Sequence, residues 1–137
     1  VHARPRHTED LDVFVEPTRA NARRLRAALV DFGFGSVCPS VELLATPGKV
    51  FMLGRPPHRL DILTAIDGVP FRDAWRTRVS VETAVGTVQV IGRDALVTNK
   101  LAAGRPKDLA DVVALTGNMP ALPRPPATPR PQRQRRR

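Results

Sequence analysis

One cysteine in 137 residues excludes an internal disulfide, and a lone thiol fits the reducing cytoplasm. Cys38 has no histidine beside it in a recognisable motif, which favours a small packing or loop residue over a nucleophile. The three histidines, His2, His7 and His58, lack metal-ligand spacing and receive no ligand role. No apolar run is long enough to cross a bilayer, and no charged-then-apolar signal segment opens the chain. The expected location is therefore cytoplasmic, with no membrane partner.

Acid is also missing, but only locally. From Asn118 onward there are six arginines and no Asp or Glu. Of the net charge of +9, that segment carries +6 and leaves +3 for residues 1–117. The same stretch holds six prolines and almost no large apolar side chain, too little burial to offset the entropy of ordering it. We read 118–137 as a disordered Pro/Arg-rich tail, able to hold nucleic acid in a salt-sensitive way or simply to be solvated. Residues 1–117, with ordinary apolar and charged content, suffice for one domain with one modest core.

What is present reads as alternating elements. A strand over Asp10 to Glu16 ends at Pro17, and Thr18 is placed to cap a helix from about Arg19 to Phe32. Ala22, Leu25, Leu29 and Phe32 recur at helical spacing, and Gly33 and Gly35 fit its stop. Val41 to Ala45 is ambiguous. Lys49 to Leu53 and Leu60 to Thr64 read as strands, with Gly54-Arg55-Pro56-Pro57 as an irregular connection short enough to make them antiparallel. Phe71 and Trp75 stack four apart in a helical turn over Pro70 to Arg76, more naturally core than a base-stacking platform. Val79 to Ala84 and Thr87 to Ile91 form a hairpin. Helices over about Asp94 to Ala103 and Lys107 to Leu115 close the domain. The fold class is α+β: a mixed, mainly antiparallel sheet with helices packed on it.

The chemistry begins in the first strand, Asp10-Leu11-Asp12-Val13, read as a buried one. Side chains alternate along a strand, so Asp10 and Asp12 share one face while Leu11 and Val13 share the other. Two carboxylates that close repel unless a cation lies between them. A hard ion such as Mg²⁺ or Mn²⁺ prefers such oxygens. Asp61, set among branched apolar residues, is the best third carboxylate, because a metal or a partner such as Arg59 removes the cost of burying its charge. Three carboxylates from adjacent strands can hold two divalent ions about 3.5–4 Å apart. The competing reading is a solvated edge-strand face, or salt bridges to nearby arginines.

The run from Arg4 through Thr8 to Val13 resembles the metal-site opening of small bacterial nucleotidyltransferase-like proteins. These belong to the polymerase-beta-like superfamily and include toxin-type members of abortive-infection and toxin–antitoxin systems. The resemblance continues through Leu53 to Thr64, ends at Asn99 to Asp111, and covers about residues 2–115. It implies Asp10, Asp12 and Asp61 as catalytic metal ligands. It also implies a nucleoside triphosphate as substrate, with Lys100 and Lys107 presented toward it; Arg4, Arg6 and Thr8 are further candidate contacts. Lys107 and Asp108 read equally well as helix-start charges, and Asp111 as the partner of a neighbouring base.

The family has a helix, a strand and a Gly-rich phosphate-gripping turn ahead of this strand, and here Ala3 stands where the last glycine is expected. Cβ is disfavoured in such a turn. Either residues upstream of Val1 supply that segment, or part of the nucleotide site is lost, with Arg4 and Arg6 in compensation. Three functions follow as expectations: an Mg²⁺-dependent transfer of NMP to a hydroxyl acceptor on RNA, protein or a small molecule; a weak or inactive relative that binds nucleic acid or an acidic partner; and a toxin held by an antitoxin protein.

Overall fold

The computed structural model describes residues 10–118. Its architecture is α+β, with a three-stranded mixed sheet, a separate two-stranded hairpin and five α-helices among the described residues.

Strand β1 (Asp10–Phe14) runs parallel to β3 (His58–Leu63), and β2 (Val50–Arg55) pairs antiparallel with β3, giving the order β1-β3-β2. The register places Val13, Ile62 and Phe51 on one rung, and Leu60 and Leu53 on another. That face turns inward. Val15, Ala22, Leu29, Leu44, Leu53 and Ile62 form the main buried core, so the sheet's apolar side is covered by the first two helices. β1 departs from the expected buried strand. Among the described residues it is an edge, and Leu11 is 64 % exposed.

Helix α1 (Arg19–Leu29) starts where Thr18 Oγ1 accepts a hydrogen bond from the Asn21 backbone N–H at 3.3 Å, satisfying one of the orphan donors of a helix start. The expected helix to Phe32 stops short. After Leu29 the chain widens into a π-type turn over Val30–Phe34, and Gly33 adopts φ 105°, a conformation a Cβ disfavours. The ambiguous stretch after Pro39 is a short helix, α2 (Val41–Leu44), with Ser40 Oγ accepting from Leu43 N–H. It drives Leu44 fully into the core.

The Gly54-Arg55 pair corrects an expectation as well. Both belong to β2, opposite Arg59 and His58, and only Pro56-Pro57 forms the connection. Gly54 makes this continuation feasible: at φ 85°, a Cβ there would lie 2.4 Å from the His58 carbonyl oxygen.

Helix α3 (Phe71–Arg76) packs Phe71 edge-on against Phe14 at 5.1 Å between ring centroids. Trp75 stacks on Phe71 at 5.8 Å, yet it is 47 % exposed and carries the Arg78 guanidinium 4.0 Å from its ring centroid, so it is only half a core residue. Strands β4 (Val79–Thr83) and β5 (Gly86–Val90) form the expected hairpin as a sheet of their own. Helices α4 (Arg93–Ala103) and α5 (Pro106–Thr116) follow. Gly104 ends α4 in the left-handed conformation, and Pro106 opens α5 at its first position, where a missing N–H costs nothing.

Candidate metal centre

The sheet face opposite the core carries the acids. Asp10 and Asp12 alternate with Leu11 and Val13 on β1, and Asp61 alternates with Leu60 and Ile62 on β3. Parallel pairing sets Asp12 directly beside Asp61 and Asp10 beside Arg59. Rung partners share a face, so all three carboxylates leave the sheet on the same side. An oxygen from each lies within 4.8 Å of the others. Asp61 thus faces the same way as Asp10 and Asp12.

Burial is graded across the cluster. Asp61 is buried at 8 % exposure, Asp10 is half-buried and Asp12 is open to solvent. Arg59, two residues before Asp61, reaches over the pair. Its Nε donates to Asp61 Oδ1 at 2.9 Å, and its Nη2 donates to Asp61 Oδ2 at 3.0 Å and to Asp10 Oδ2 at 2.6 Å. These are charge-assisted bonds in a fork geometry. They raise the Arg59 pKa, first through the hydrogen bond to Asp61, so the guanidinium stays charged.

Asp12 lies outside that fork. Its pKa is raised above 3.8, first by desolvation and then by the charges of Asp10 and Asp61, with Arg59 and Lys107 pulling the other way.

This donor set suits a hard divalent cation. It offers oxygens alone, from three carboxylates held by a hydrogen-bonded sheet rather than by loops, and one strand contributes two of them. The site can therefore hold a metal ion.

Basic groups approach from α5. Lys107 is exposed, and its charge lowers the pKa of Asp12. Arg105, just before the helix, feels the charges of Asp67 and Asp12 after that of its main partner Asp108. Sequence reasoning gave Arg105 no role. The signal was present in Arg105-Pro106-Lys107, two bases flanking a proline that opens a helix.

Lys100 is placed differently. Its Nζ donates to Asp111 Oδ2 at 2.7 Å and to Asp108 Oδ1 at 3.3 Å, tying α4 to α5. Asp108 is 1 % exposed and also accepts from Arg105 Nε at 2.5 Å. Burial alone would push the Asp108 pKa up, but the hydrogen bonds from Arg105 and Lys100 bring it below 3.8. Thus Asp111 pairs with a neighbouring base, and Asp108 anchors the start of the helix that presents Arg105 and Lys107. Arg4, Arg6 and Thr8 lie outside the described residues.

No helix among the described residues is long and apolar enough to cross a membrane. Comparison with protein-family models, with curated proteins and with solved structures finds no match.

Proposed function

We propose that the chain is a divalent-metal-dependent nucleotidyltransferase-like protein. The observation that carries this reading is the Asp10, Asp12 and Asp61 cluster on one face of paired strands. Asp10, Asp12 and Asp61 would hold Mg²⁺ or Mn²⁺. A bound ion supplies positive charge for a triphosphate and lowers the pKa of an attacking hydroxyl.

The chain's own residues do the positioning. Lys107 and Arg105 stand at the start of α5 within electrostatic reach of Asp12, where they can bind phosphate oxygens and orient a nucleoside triphosphate. Asp61 is fixed by its place in the central strand. In the proposed reaction an acceptor hydroxyl attacks the α-phosphorus, pyrophosphate leaves, and the hydroxyl proton passes to solvent. The products are an NMP ester and pyrophosphate. Phosphoryl chemistry of this kind depends on positioning and on charge stabilisation rather than on a protein nucleophile.

The test is transfer of label from an α-labelled nucleoside triphosphate in the presence of Mg²⁺. Transfer by the full chain that stops on Asp12→Asn supports the reading, and undiminished transfer by that variant refutes the metal assignment.

One observation favours a second reading, binding of nucleotide or nucleic acid without transfer. The Arg59 guanidinium already neutralises part of the acidic cluster. Under that reading a triphosphate binds, no label moves at any Mg²⁺ concentration, and affinity falls with rising salt.

A further inference from the structure

Arg59 and Asp61 stand two residues apart on β3, and Asp10 is the rung partner of Arg59. The guanidinium therefore lies on the acidic face, bonded to two of its three carboxylates at 2.6 to 3.0 Å. A guanidinium and a hard divalent ion compete for the same carboxylate lone pairs, and the two cations repel at such separations. Both cannot sit comfortably on Asp10 and Asp61.

The sheet gives the arginine somewhere to go. Its rung neighbour on β2 is Gly54, which has no side chain to wall it in, and the Arg59 side chain is 31 % exposed. Its side chain is therefore partly open to solvent while its guanidinium hydrogen-bonds to Asp10 and Asp61.

We propose that Arg59 is a displaceable internal counter-ion, and that its charge sets the affinity of the carboxylate cluster for divalent cations. This inference rests on the metal-ion reading given above. Without a divalent ion the arginine closes the cluster, and an entering ion takes the carboxylate oxygens and turns the guanidinium out. Arg59 is thus a positioning residue that acts through Asp10 and Asp61.

The experiment is titration of the full chain with Mn²⁺, followed calorimetrically and by electron paramagnetic resonance of the free ion. Arg59→Met keeps the apolar stem and removes the charge, and Arg59→Lys keeps the charge and loses the fork. The Mn²⁺ Kd should fall about tenfold or more in Arg59→Met, with Arg59→Lys between that variant and the wild type. Metal-free Arg59→Met should melt below the wild type, and saturating Mn²⁺ should raise its Tm by more than it raises that of the wild type.

A second readout needs no variant. The Arg59 Nε–H resonance should shift and exchange faster with water when Mg²⁺ saturates the wild type. Equal or weaker Mn²⁺ binding by a folded Arg59→Met, or an Arg59 resonance indifferent to Mg²⁺, overturns the displacement while leaving a metal site in place. Absence of binding in wild type and variants alike overturns the metal-ion reading itself, and the displacement with it.

Discussion

Asp12 and Asp61 stand directly opposite each other on adjacent parallel strands, two acids on one rung with Asp10 and Arg59 on the next. Side chains on such a rung are nearest neighbours, and like charges there destabilise the pair of strands. The arrangement works against the isolated fold, and Arg59 offsets it through bonds to Asp10 and Asp61 that leave Asp12 outside the fork.

Asp12→Asn should stabilise the metal-free chain. The substitution removes a partly solvated charge held between two others, so the gain is modest, under about 1 kcal/mol after solvent screening. The sign with pH follows. Because the folded-state pKa of Asp12 is raised, its ionised form costs the fold stability above that value. The cost is relieved as pH falls through the raised value towards 3.8. Thermal melts of wild type and variant should accordingly differ at pH 7 and converge as acid is added, and a variant that melts lower than wild type at pH 7 would contradict the repulsion.

Asp108 should behave in the opposite sense. Its folded pKa is lowered by Arg105 and Lys100 against the effect of burial. Its stabilising contribution is therefore present above the unfolded value near 3.8 and is lost as pH falls through the lower folded value. Asp108→Ala should cost about 2–3 kcal/mol, below the full penalty of a broken buried pair because Arg105 is largely exposed and Lys100 keeps Asp111. Urea unfolding measures this, and a loss under about 0.5 kcal/mol would show that the pair does not anchor α5.

Gly54→Ala probes the framework behind the cluster. A Cβ at φ 85° would meet the His58 carbonyl at 2.4 Å, which combines backbone strain with overpacking. The expected cost is about 2–4 kcal/mol, with disturbed pairing of β2 on β3. Amide exchange across His58–Leu63 should quicken in the variant. Wild-type protection there would mean that the strand tolerates the side chain.

Much of this was legible in the chain and some was not, for physical reasons. Period-two alternation in Asp10-Leu11-Asp12-Val13 shows which residues share a face without any knowledge of partners. Asp61 stands out because an ionised group among Leu60, Ile62 and Leu63 needs compensation. The rung that joins Asp12 to Asp61 is invisible locally, since parallel pairing is settled by the packing of the intervening segment. Gly54 ahead of two prolines reads as a break, although positive φ at a glycine lets the strand continue to Arg55. The expectation of Lys100 as a nucleotide contact missed its ion pairs because its partners, Asp108 and Asp111, come from the next helix. Leu29 to Gly33 carries helical spacing to its end, so nothing in the pattern announces the wider π-type turn.

Lys107 and Arg105 should govern phosphate binding if α5 presents them to a triphosphate. Lys107→Ala is expected to weaken binding of a non-hydrolysable nucleoside triphosphate about five- to tenfold at low salt, and by less as ionic strength rises. Arg105→Ala should act more strongly, because it also loosens Asp108. Fluorescence titration with a labelled analogue reads both effects, and affinity indifferent to Lys107 would remove this lysine from the nucleotide site.

Mn²⁺ titration of the wild type alongside Asp12→Asn and Asp61→Asn tests the whole account most directly. Saturable binding by the wild type that weakens at least tenfold in both folded variants is the predicted result. Wild-type protein that leaves the ion free in solution, or variants that retain it with the same Kd, would contradict the reading of these carboxylates as a shared cation site.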